Sequence, residues 1–306
     1  MFNLKTITED YLNFCQNQKR LNTKTLKAYR TDLTQFQKHL CVTRISQITP
    51  EKLETFIAML HQTYQPRTSK RKIASLKAFF HYLEYRDMVP LNPLNKIQTK
   101  FREPVTLPKI IPLHTIEKLL STMYFQKTLA KTKYQRNYIL RDIAVIELLF
   151  STGIRVSELC SLKPTDIDLH EKSILIYGKG SKERKIQIGN HSVASVLYEY
   201  RQAFEAEINN CGCFFVNRFK NRLSEQAVRE IITKYVHIAG IQQHITPHMF
   251  RHSFATYLLE ADVDIRYIQQ MLGHSSIHIT EIYTHVAMSK QKEILATKHP
   301  RRNFLI

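Results

Sequence analysis

Six side chains in the last half of this 306-residue chain have types and an order suited to one reaction. They are Arg155, Lys179, His248, Arg251, His274 and Tyr283. Two arginines, two histidines, a lysine and a tyrosine are the set that a metal-free phosphoryl transfer needs. A hydroxyl attacks, cations hold the phosphate, and an acid protonates the departing oxygen.

Each residue sits in a local context that could present it. Thr246-Pro247 is a helix-opening pair, and His248 and Arg251, three apart, then share a helix face. Phe250, Phe254, Tyr257 and Leu258 form the stripe expected to pack inward. Arg155 follows a strongly apolar helix, 139–150, that Gly153 should stop in the left-handed conformation. Glu158, three residues on, can hold a neighbouring cation or imidazole. Lys179 lies between Gly178 and Gly180 at a hairpin tip, where the backbone can bend close to a ligand. Lys182 and Lys185 are near enough to compete for its role. His274 follows Gly273, which should end the helix containing Ile265, Ile268 and Met271, and Tyr283 should close the next one. His252, His278 and His285 have no partner pattern and read as structural. Singly these signals are weak; an H-x-x-R alone is usually a surface histidine and a structural arginine.

The elements that must position them fall into two groups. Apolar residues recur at helical spacing in four stretches: Ile7, Tyr11 and Phe14; Leu26 to Leu40, with Thr23 as cap; Leu53 to Leu60, opened by Thr49-Pro50; and Ile73 to Leu83. Four helices with short connections predict a small bundle. Prolines at 90, 93, 104, 108 and 112, with Lys96, Lys100 and Arg102, mark an extended basic linker. Beyond it the chain should be mostly helical with a small sheet. Its strands lie at 174–177 and 184–188, with a further one near Ile167 and Leu169. Helices follow at 192–204 and 224–239.

Charge points to the partner. The net charge is +19, and the first hundred residues carry 17 Lys and Arg against 7 Asp and Glu, about twice the charge density of the remainder. Lys24, Lys27 and Arg30 lie on one helix, and Arg67, Lys70, Arg71 and Lys77 on another. Two basic faces suit a polyanion, most simply the backbone of double-stranded DNA. Five scattered cysteines without a C-x-x-C pair argue against a zinc site or a disulfide framework, and fit a reducing cytosol. The first residues show no apolar leader core. No apolar run is long enough to span a bilayer.

Taken in order, the residues and the local strings TGIRVSEL, GKG, TPHMFRHSFAT and LGHSS resemble the tyrosine recombinase family, with Xer-like and mobile-element members most similar. The resemblance covers nearly the whole chain. It implies a mainly α fold, with an N-terminal helical core-binding bundle (1–95), a basic linker (96–112) and a mixed α+β catalytic domain with a small antiparallel sheet (113–306). It implies that Tyr283 is the nucleophile and forms a 3′-phosphotyrosyl link. Arg155 and Arg251 then clamp the phosphate, and His248, supported by Glu158, acts as base or relay. Lys179 protonates the 5′-oxygen, and His274 hydrogen-bonds the phosphate. Neither metal nor cofactor is expected. The protein should be a cytoplasmic homo-oligomer, a dimer on one site and a tetramer in the synapse. Ile294, Leu295 and Phe304 in the tail are candidate anchors on a neighbouring protomer, packing in cis being the alternative. A basic insertion at 124–136 is a departure from typical Xer proteins. The rival readings are a type IB topoisomerase and a non-catalytic DNA-binding protein of the same fold. The DNA sequence recognised, and the choice among chromosome resolution, integration, excision and inversion, are not written in these residues.

Overall fold

The apolar stripes of the first hundred residues become four helices: α1 (Leu4–Asn17), α2 (Thr23–Leu40), α3 (Pro50–Thr63) and α4 (Pro66–Tyr85). The structure is a computed structural model that describes residues 3–99, 109–178 and 183–273. The chain divides into two compact units, 1–105 and 106–306.

In the first unit, Ile7, Tyr11, Leu33, Phe36, Leu53, Phe56, Ile73, Phe79 and Phe80 form a buried core. Each of the larger side chains contributes about 1.5–3 kcal/mol by leaving water. Thr49 caps α3 through the Lys52 amide, with Pro50 in the first turn as expected. The cap of α2 is Asn22 rather than Thr23; its side-chain oxygen accepts from the Thr25 amide at 2.8 Å. Asparagine does this as well as threonine or better, so a one-residue shift was available to the chain.

Asp32 ties α2 to α4. Its carboxylate, 2% exposed, accepts from Lys72 at 3.1 Å, from the Ser75 hydroxyl at 2.7 Å and from Arg71. Lys72 is itself buried, bonded to Gln35, with its ammonium 4.8 Å from the Tyr64 ring centre. A buried charge is tolerated only with such partners.

The second unit is built on α5 (Leu113–Thr128) and α6 (Lys133–Thr152), with α7 (Val156–Ser161) close behind. A three-stranded antiparallel sheet follows, with β1 (Ile167–Asp168), β2 (Ser173–Tyr177) and β3 (Glu183–Gln187) in sequential order. Then come α8 (His191–Ala203), α9 (Glu205–Cys211), α10 (Glu225–Ile238), α11 (Pro247–Glu260) and α12 (Ile265–Leu272). The fold is thus mainly α with a small antiparallel sheet.

The apolar helix read from the sequence is the centre of this unit. Residues of α6 from Leu140 to Leu149 are buried almost throughout, and α5, α8, α10 and α11 pack around it. Gly153 ends it at φ +60. A Cβ there would also lie 2.6 Å from the Phe254 ring, so glycine is required twice over. The stretch 124–136 forms the end of α5, a short turn and the start of α6. The Tyr124 hydroxyl donates to Glu147 on α6 at 2.8 Å, a contact invisible to local patterning. Among the described residues no helix is long and apolar enough to cross a membrane.

Asp32→Ala strands the buried Lys72 ammonium and should cost about 3–5 kcal/mol, read as a lowered urea midpoint. Lys77→Ala, on the exposed side of α4, should stay within about 0.5 kcal/mol. Equal midpoints for the two variants would show that the Asp32 cluster adds no net stability.

Candidate active site

Arg155 is placed by the chain reversal at the end of α6. Gly153 turns the backbone, Ile154 anchors it in the core, and Arg155 becomes the N-cap of α7. Glu158 locks the turn. One of its oxygens, Oε2, accepts from the Arg155 amide at 2.8 Å, and the other, Oε1, from the Arg155 guanidinium at 2.8 Å.

Glu158 has a second cationic partner that sequence reading did not single out. Arg184 on β3 donates Nη1 to Oε1 at 3.0 Å and Nη2 to Oε2 at 2.7 Å, a two-pronged pairing. Burial pushes the Glu158 carboxyl up. The hydrogen bonds from Arg184 and the Arg155 amide, with the charges of both arginines, outweigh it and hold the group below its ordinary value. The sequence left Glu158 open to an imidazole or a cation; both oxygens go to arginine, so it does not orient His248 through a hydrogen bond. A signal for Arg184 did exist. It alternates with Ile186 and Ile188, which are buried, so it occupies the inward face of its strand, where an arginine needs an acid.

Arg251 is 5% exposed, deeper than a shared surface with His248 would suggest. Its guanidinium donates to the Gly153 carbonyl at 2.9 Å and to the Leu272 carbonyl at 2.7 Å. Arg184 Nε donates to the Met271 carbonyl at 2.8 Å. The Gly273 amide takes the carbonyls of Gln269 and Gln270. All four terminal carbonyls of α12 are therefore satisfied, two of them by arginine side chains, immediately before position 274.

His248 lies on the exposed side of the first turn of α11. Partial burial, then the positive charges of Arg251, Arg229 and Arg155, lower its pKa from 6.5, against a small opposing effect of Glu225. The ring is thus neutral at physiological pH and able to accept a proton. Beside Arg155 lies an open groove of about 1100 Å³, whose lining includes Arg184, Lys185, Arg266, Gln270 and Gly273. Lys179, His274 and Tyr283, and the competing Lys182, lie outside the described residues. The structure therefore brings together Arg155, Glu158, His248 and Arg251 of the expected set, and adds Arg184.

All seven cations singled out on α2 and α4 are exposed: Lys24, Lys27, Arg30, Arg67, Lys70, Arg71 and Lys77. Arg30 pairs with Glu9 and Arg71 with Asp32, so part of their charge is already committed.

Comparison with known proteins matches both units. Residues 8–87 match the model of the phage integrase N-terminal SAM-like domain, and residues 117–290 match that of the phage integrase family. A protein from Agathobacter rectalis called tyrosine recombinase is 58% identical, with 99% of each chain covered. Tyrosine recombinase XerD of Listeria monocytogenes is 37% identical over 97% of this chain and 100% of its own. Among solved structures, XerA recombinase is 27% identical at a TM-score of 0.53, over 97% of this chain and 99% of that one. The XerH site-specific recombinase bound to its difH substrate shares the fold at a TM-score of 0.77, with 21% identity over 95% of this chain and 84% of that one. With a shared fold, relatives matched end to end and an arginine-rich site at the expected positions, the chain belongs to the phage integrase family of tyrosine recombinases.

Proposed function

We propose that this recombinase opens a DNA strand by attack of the Tyr283 phenol on the scissile phosphorus. The tyrosyl oxygen–phosphorus bond forms, the bond to the 5′-oxygen breaks, and Lys179 supplies the proton that leaves a free 5′-hydroxyl. A 5′-hydroxyl from a partner duplex then reverses the step, so the phosphodiester energy is conserved in the covalent bond. Arg155 and Arg251 bear the charge of the five-coordinate phosphorus, each worth on the order of 10³ or more in rate by analogy with arginine fingers. A free tyrosine titrates near about 10, so its proton needs an acceptor. Neutral His248 is that acceptor, and His274 hydrogen-bonds the phosphate.

One observation carries the reading. The guanidiniums of Arg184 and Arg251 grip the last two carbonyls of α12, so the chain leaves this helix toward His274 and Tyr283 from beside Arg155, Arg251 and a neutral imidazole. The full-length relatives carry tyrosine recombinase names and do not favour the topoisomerase alternative. Duplex DNA is the substrate, gripped in part by the basic faces of α2 and α4. A dimer on one site and a tetramer in the synapse follow by analogy; one structural neighbour is a lambda integrase dimer on a core site. Action in the cytoplasm is part of this reading, by analogy with the bacterial relatives.

Incubating the protein with fragmented genomic DNA, denaturing, and sequencing what stays attached tests the nucleophile and identifies the site. Tyr283→Phe should leave DNA binding intact and abolish the protease-sensitive adduct; an adduct that survives the substitution refutes the assignment. Because the folded His248 pKa lies below 6.5, the acid limb of single-turnover cleavage should have its midpoint below 6.5. An acid limb centred above 6.5 would count against a neutral His248. Arg67→Ala should weaken binding to all duplex sequences and flatten the salt dependence by about one unit of slope. An unchanged slope removes Arg67 from the DNA contacts.

A further inference from the structure

The pairing of Glu158 with two arginines has a consequence for charge as well as geometry. Each oxygen of the carboxylate accepts one N–H from Arg155 and one from Arg184. Its four acceptor positions are filled. Two guanidiniums and one carboxylate leave a net charge of +1. The side chains of Glu158 and Arg184 are 6% and 9% exposed, while that of Arg155 is 35% exposed. The two buried groups neutralise each other, and the surplus positive charge resides on the most exposed member, Arg155.

We propose that Arg184 is a positioning residue for strand cleavage: it neutralises Glu158, so that Glu158 can fix the Arg155 guanidinium without cancelling the charge Arg155 offers to the phosphate. This rests on reading Arg155 as a phosphate-holding residue. Without Arg184 the buried carboxylate has Arg155 as its remaining hydrogen-bonded arginine. The pair is then neutral, and the guanidinium is held toward the acid rather than toward DNA.

A second observation places the same side chain against the segment that leads to His274. Arg184 Nε holds the Met271 carbonyl, and its guanidinium passes over Gly273 so closely that a Cβ there would sit 3.0 Å from Nη1 and 3.1 Å from Cδ. Gly273 is needed for its positive φ of +65 and for this approach. Arg184 thus links the turn carrying Arg155, the base of the hairpin and the end of α12. A purely structural tie and a charge-balancing role make different predictions, and a double-mutant cycle separates them.

The experiment measures single-turnover cleavage of a nicked duplex built from the DNA recovered on the wild-type protein, using R184M, E158Q and the R184M/E158Q double variant. If wild type forms no adduct, the reading of the reaction itself fails. With active wild type, R184M should cleave about 100-fold more slowly or worse while binding the duplex normally. E158Q should stay within about tenfold of wild type, and adding R184M to E158Q should cost less than about tenfold. With no carboxylate to neutralise, Arg184 is no longer needed. Three results overturn the proposal: R184M at the wild-type rate, the full loss repeated in the E158Q background, or E158Q as slow as R184M. If R184M does not fold, R184K decides. It keeps the charge and loses the fork, so cleavage within about tenfold of wild type supports the proposal, and a loss of about 100-fold overturns it.

Discussion

The C-terminal end of α12 needs partners for four carbonyls, and among the described residues the chain's own continuation supplies one donor, the Gly273 amide. Arg184 and Arg251 supply the rest. A guanidinium at a helix C-terminus also meets the negative end of the helix dipole, worth roughly 0.3–1 kcal/mol in ordinary settings. This one junction fixes the relative placement of four segments: the turn after α6, the strand β3, the first turns of α11 and the exit of α12. Hydrogen-bond satisfaction at a helix end and assembly of a cationic site are here the same event.

The two units solve one electrostatic problem in the same manner. A chain with a net charge of +19 must hold cations at its surface without burying unpaired charge. In the first unit Asp32 lies between Lys72, whose side chain is 5% exposed, and Arg71, 46% exposed. In the second, Glu158 lies between Arg184 and Arg155, again one sunken and one accessible. In both, the buried cation balances the acid, and the accessible one keeps an outward positive field while its stem is tethered. Tethering limits the side-chain entropy lost when the arginine meets an anion. The scarce carboxylates of a basic protein are thereby used as anchors for cations.

Much of the fold was legible because it rests on local rules. The stripes of the first four helices, the Thr49-Pro50 start and the glycine stops at 153 and 273 are set within a few residues of sequence. Other features depend on partners far along the chain. The Asn22 cap differs from Thr23 by one residue with nearly equal chemistry. The Tyr124–Glu147 contact that ties α5 to α6 spans 23 positions. Arg251 was expected on a surface and lies beneath it, because the carbonyls that hold it come from residues 98 positions before it and 21 after it.

The two-part organisation and the family were legible in the sequence alone, since motif spacing and helical periodicity are one-dimensional properties. Which acid serves which base was not. Glu158 could have taken an imidazole, and nothing local to position 184 ties that arginine to residues 26 positions earlier and 87 positions later. The tertiary structure made those choices because charge balance and carbonyl satisfaction act through space, between groups that only folding brings within hydrogen-bond reach.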